Sequence, residues 1–146
     1  MGATSEELSS GTALAGTAMD VYKSPTCGCC GDWIEHVQGN GFTTVIHHPN
    51  NLNQLKADKG VAPRLQSCHT AVTVDGYIFE GHVPARYMQQ FLQEKPKGAI
   101  GLTVPGMPVG SPGMEVGDKF MPYQVLLLMR DGSAGVYADI NSPADQ

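Results

Sequence analysis

Apolar and polar positions change their period several times along the chain, and the changes mark its elements. Residues 18–22 predict a short strand, broken by Pro25, which forces extended backbone on the residue before it. Cys30, Trp33, Ile34 and Val37 recur at the i, i+3, i+4, i+7 spacing of one helical face, so a helix is predicted over 30–38, stopped by Gly39, Asn40 and Gly41. Residues 42–48 are β-branched and apolar enough for a second strand, ended by Pro49. Asn50 or Asn51 can cap a second helix reaching about Lys59, with Leu52 and Leu55 inward and Gly60 as its stop. Residues 70–74 and 77–80 flank Asp75 and Gly76, a two-residue hairpin signal. Pro84 opens a third helix with Val83, Met88, Phe91 and Leu92 on its apolar side, ending before Pro96. The stretch 98–115 is too dense in Gly and Pro for a helix. Residues 123–129 and 135–140, joined by a turn at 130–133, read as a closing hairpin. Trp33, Phe42, Phe79 and Phe91 are assigned to the core.

The resulting order, strand-helix-strand-helix-hairpin-helix over residues 18–95, is the α/β order of a thioredoxin-like core in its compact, glutaredoxin-type form. Fold alone does not assign function. Residues 18–140 are expected to form one domain, with a C-terminal extension over 96–140 that carries the Gly/Pro/Met-rich loop and the hairpin. Residues 1–17 read as a disordered leader and 141–146 as a frayed tail.

Charge narrows the partners. The formal net charge is −5, and the nine Lys and Arg residues are scattered rather than clustered, which argues against nucleic acid or an anionic membrane. No apolar run has the length of a membrane span, and residues 1–18 lack the positive start and apolar stretch of a signal peptide.

The chemistry concentrates in cysteine. Cys27, Cys29 and Cys30 lie within four residues at a predicted helix start, where unpaired backbone N–H groups and the helix dipole favour thiolate over thiol. A vicinal Cys29–Cys30 bridge would be strained, and at most one of the three thiols would pair with Cys68. One reading is a dithiol oxidoreductase using Cys27 and Cys30. Against it stand the extra thiol of Cys29 and the absence of a proline just ahead of the third core strand, where Cys68 and His69 stand instead. In a thioredoxin-like topology that position faces the cysteine motif, gathering four sulfurs and an imidazole around one small volume. Such a set suits a thiophilic d¹⁰ ion, Cu(I) or Zn(II). Three cysteines in four residues are tighter than common zinc layouts and suit thiolate bridging between several Cu(I) ions.

Met107 and Met114 each follow a glycine in the Gly/Pro-rich loop; they are either soft thioether ligands, which favour copper, or flexible side chains filling gaps. His82 is either a turn histidine bonded to backbone or a ligand, and His69 is read as a ligand or as support for one. His36 lies more than a helical turn beyond Cys30 and is expected at the surface. His47 and His48, adjacent on a strand, should point to opposite faces. A zinc module and a thiol–disulfide oxidoreductase remain competing readings at this point.

Five runs in order, Tyr22-Lys-Ser-Pro-Thr-Cys-Gly-Cys-Cys-Gly31, Ser67-Cys-His-Thr-Ala71, Glu80-Gly-His-Val-Pro-Ala85, Val104-Pro-Gly-Met-Pro108 and Gly110-Ser-Pro-Gly-Met-Glu115, resemble the CopG-like family of bacterial copper-resistance proteins. The resemblance spans about residues 20–140. It implies a thioredoxin-like fold, a periplasmic location, and copper as Cu(I) in a polynuclear cluster held by Cys27, Cys29, Cys30 and Cys68. His69, His82, Met107 and Met114 would stand nearby as ligands or gates. It also implies oxidoreductase activity interconverting Cu(I) and Cu(II) through Cys27, Cys29 and Cys30, with other periplasmic copper-handling proteins as partners; a copper chaperone without redox turnover is the near alternative.

Overall fold

A computed structural model describes residues 17–146; of the expected leader, all but Thr17 lies outside the described residues. The elements in chain order are β1 (Thr17–Lys23), α1 (Gly28–Gln38), β2 (Phe42–His47), α2 (Leu52–Asp58), β3 (His69–Thr73), β4 (Ile78–Gly81), α3 (Ala85–Glu94), β5 (Ala99–Val104), β6 (Tyr123–Met129) and β7 (Ala134–Ile140). They form a mixed α/β fold with a seven-stranded sheet in the order β2-β1-β3-β4-β5-β6-β7. β1 runs parallel to β2 and β4 parallel to β5, and every other pairing is antiparallel.

The apolar faces meet as their spacing requires. Cys30, Trp33, Ile34 and Val37 form the buried stripe of α1, and Met88 and Phe91 that of α3. Phe79 on β4 meets Phe91 edge to face at 5.9 Å, the geometry that the ring quadrupoles favour. Asn51 caps α2 by accepting the Gln54 N–H at 3.0 Å, as its position predicts.

Several expectations are corrected. α1 begins at Gly28, two residues earlier than its apolar spacing predicts, because Gly28 and Cys29 belong to the helix but face away from the core. On α2, Leu52 and Leu55 are only half-buried, while Lys56 is 2% exposed. Within the stretch read only as Gly/Pro-rich, residues 99–104 form β5, which joins the closing hairpin to the rest of the sheet. Gly101 hides this strand from a propensity reading, yet the strand needs it: a Cβ there would stand 1.8 Å from the Ile78 carbonyl oxygen. His36 is half-buried rather than on the surface; its Nε2 accepts the Ala85 N–H at 3.0 Å and so supplies the cap that Pro84 cannot. Residues 141–146, read as a tail, carry local structure. Pro143–Asp145 form a one-turn 3-10 helix with a Ser142/Asp145 capping box, and the Asp145 carbonyl accepts from the Tyr87 hydroxyl and Arg86.

Candidate metal centre

The site forms where the end of β1 meets the start of β3. Pairing of Lys23 with His69 sets residue 68 beside the turn that leads from β1 into α1. Cys27 is the N-cap residue of α1, Cys29 sits half-buried in its first turn and Cys30 faces the core. Cys27 and Cys30 are joined in a disulfide with Cα atoms 5.4 Å apart, and Cys29 and Cys68 are free. Cys29 Sγ lies 3.6 Å from Cys27 Sγ. The sulfurs of Cys27, Cys29, Cys30 and Cys68 all lie within 4.8 Å of one another.

Cys68 also belongs to a second group. Its Sγ lies 3.2 Å from His69 Nδ1 and 3.1 Å from His82 Nε2, and the three residues each offer a ligand atom within 4.8 Å of the others. The protonation of His82 follows from its other partner. The Pro112 carbonyl, 2.5 Å from Nδ1, can only accept, so Nδ1 carries the proton and Nε2 turns a lone pair toward Cys68. His69 is fully buried against Trp33, with ring centroids 4.3 Å apart, and its Nε2 has no hydrogen-bond partner. Burial lowers the pKa of both histidines, His69 well below the ordinary value, so each is held as the neutral imidazole that ligates metals. Burial pushes the Cys68 thiol up to about 11, against a smaller opposing pull from Ser67.

The Gly/Pro/Met-rich loop closes over this volume. Gly113, at φ +89°, packs so tightly that a Cβ would stand 2.8 Å from the Trp33 nitrogen and 2.9 Å from both the Cys29 carbonyl oxygen and His82 Nδ1. The loop thereby brings Met107 Sδ to 3.7 Å from Cys29 Sγ while leaving the methionine half exposed. Met114 is half-buried and serves the loop through its backbone, accepting from Gly110 N–H at 2.8 Å and donating to the Ser111 carbonyl at 2.8 Å. His47 and His48 lie away from the cysteines: His47 Nε2 is 2.8 Å from Asp20 Oδ1, and His48 Nδ1 is 3.1 Å from the Lys23 carbonyl oxygen.

Sequence reading missed Lys56 and Glu80, a buried ion pair beneath Cys68. The available signal was a carboxylate standing among Ile78, Phe79, His82 and Val83, where an apolar residue would otherwise be expected. With sulfur donors on one side and neutral imidazole nitrogens on the other, the arrangement suits soft and borderline metal ions, and its cysteine pair can also exchange electrons as dithiol and disulfide. Among the described residues, no helix is long and apolar enough to cross a membrane.

A family model described as a protein of unknown function, DUF411, matches residues 65–114. No curated protein matches the chain. Two solved structures, described as copper resistance protein copG in Form 1 and Form 2, are each 44% identical to it. Form 1 covers 85% of this chain and 97% of its own, with a TM-score of 0.79. Form 2 covers 86% and 99%, with a TM-score of 0.81.

Proposed function

Because the chain belongs to the CopG family of copper resistance proteins, we propose that its reduced cysteines hold Cu(I) in a thiolate-bridged, polynuclear cluster. The observation that carries this reading is the convergence of four sulfurs within 4.8 Å from two separate segments. Four thiolates serve more than one Cu(I) only by sharing, and sharing spreads their negative charge over several cations. His69, His82 and Met107 stand where they can complete the coordination, and Met114 shapes the loop above it. Residues 18–140 act as one unit in this reading, since the site draws on side chains from Cys27 to Met107 and on a loop that reaches Met114. The element order and the β2-β1-β3-β4 half of the sheet support a thioredoxin-like core. The periplasm is the compartment we assign, with other copper-handling proteins as donors and acceptors.

The Cys27–Cys30 disulfide supports a redox role as well. Two Cu(I) ions each give one electron, the S–S bond breaks, and two thiolates and two Cu(II) ions result; the reverse step re-forms the bond and returns Cu(I). The same disulfide favours a second reading, a general thiol–disulfide oxidoreductase that needs only Cys27 and Cys30. That reading requires insulin reduction to survive Cys29→Ser and Cys68→Ser.

The deciding experiment is an anaerobic Cu(I) titration of the fully reduced protein against a competing chelator, with metal counted by elemental analysis. Several copper ions per chain, lost together on Cys27→Ser, Cys29→Ser or Cys30→Ser, are expected. A single weakly held copper, or a preference for one zinc, would overturn the cluster.

A further inference from the structure

Lys56 and Glu80 form an ion pair whose side chains are 2% and 0% exposed, and its hydrogen bonds converge on one residue. Lys56 Nζ donates to the Ser67 carbonyl at 2.9 Å, and Glu80 Oε2 accepts the Ser67 N–H at 2.8 Å. The other carboxylate oxygen, Oε1, accepts from the Thr70 hydroxyl at 2.6 Å. Both peptide groups of the residue before Cys68 are therefore fixed by one buried pair. The Ser67 hydroxyl completes the hold by donating to the Gly106 carbonyl, next to Met107.

Burying two charges is costly, and apolar residues of similar volume commonly stabilise a fold as well or better. A pair retained for packing alone would be free of any relation to the metal centre. This one instead links α2, β3 and β4 at the single backbone joint from which Cys68 projects, and Cys68 is the residue shared by the all-sulfur group and the Cys-His-His group. A thiolate that bridges must be held to within a fraction of an ångström, which calls for a locked supporting shell.

We propose that the Lys56–Glu80 pair is a positioning device that clamps Ser67 and thereby sets the place of Cys68 in the copper centre. The proposal rests on the copper reading given above. It predicts that the pair is replaceable for folding but not for copper geometry.

The test compares two double variants with the wild type, Lys56→Met with Glu80→Leu, and Lys56→Met with Glu80→Gln. The first removes every partner of the Ser67 peptide groups; the second returns an acceptor for the Ser67 N–H. Amide hydrogen exchange is read on the reduced, copper-free proteins, and Cu(I) affinity and the thiolate-to-copper charge-transfer spectrum on the loaded ones. In the Leu variant the Ser67 amide should exchange at least about tenfold faster, with β1 and β3 protection kept. Its Cu(I) affinity should fall by about tenfold or more with a changed spectrum, and adding Cys68→Ser should cost little further. The Gln variant should recover most of both effects. Unchanged Ser67 exchange would overturn the proposal, as would wild-type affinity and spectrum despite fast exchange. Loss of folding in both variants would mark the pair as purely structural and overturn it too. Failure of the wild type to bind copper would instead remove the copper reading, and exchange alone would still decide whether Ser67 is clamped.

Discussion

Met107 and Met114 are chemically identical and both follow a glycine, yet only Met107 places its sulfur against a cysteine, 3.7 Å from Cys29. Met107→Leu should therefore weaken Cu(I) binding by roughly fivefold to tenfold, the order of one soft contact, and Met114→Leu by less, both read by chelator competition. His36 illustrates a different residue-scale effect, because it must stay neutral to accept the Ala85 N–H. Burial lowers its folded pKa from the ordinary 6.5, so the unfolded chain binds the proton first as the medium acidifies. Its contribution is whole above that ordinary value, falls away as pH drops through it, and levels off below the folded pKa. The slope from one such group is at most about 1.4 kcal/mol per pH unit. His36→Gln should remove that share of the acid destabilisation in urea titrations between pH 5 and 8, leaving the portion with the same sign from His69 and His82.

Among the elements, the loop above the cysteines carries the sharpest steric prediction. Gly113→Ala meets both a positive φ and backbone atoms 2.8 and 2.9 Å away, none of which is the end of a flexible side chain. The loop should lift, costing about 1–3 kcal/mol of stability, and copper should leave faster in stopped-flow transfer to a chelator. The same scale shows what was legible beforehand. α1 and α3 were readable because their apolar residues keep the helical period, the closing hairpin because two strand-like runs flank a turn, and Cys68 as a neighbour of the cysteine turn because the order of elements carries residue 68 there. β5 was not readable, since Gly101 is there for its closeness to Ile78 and carries no strand propensity. Lys56 and Glu80 were hidden for a related reason: each has the composition of a surface residue, and only their mutual approach across α2 and β4 makes burial tolerable. Spacing from a glycine could not tell which of the two thioethers stands against Cys29, since Met107 and Met114 share that spacing and only the fold brings the Met107 sulfur there.

At the scale of the molecule, the centre draws on the β1–α1 turn, the start of β3, the end of β4 and a loop beyond β5, so it exists only when these are assembled. Under the proposed function, copper binding is then linked to folding. Free Cu(I) at about a hundred times its dissociation constant should stabilise the reduced protein by about 2.7 kcal/mol, roughly 10 °C in Tm for a chain of this size. Differential scanning calorimetry should find that shift absent in Cys27→Ser. The contact between His82 and Pro112 adds a consequence of its own. The carbonyl that fixes the proton on Nδ1 belongs to the covering loop, not to the bend just past β4 that bears the histidine. An imidazole deprived of that acceptor is released to change tautomer, and the nitrogen facing Cys68 then presents hydrogen where it had presented an electron pair. Were the roof to lift, a donor atom would be turned off in the same act, so under the proposed function the hold on a metal ion would weaken as its way out opened.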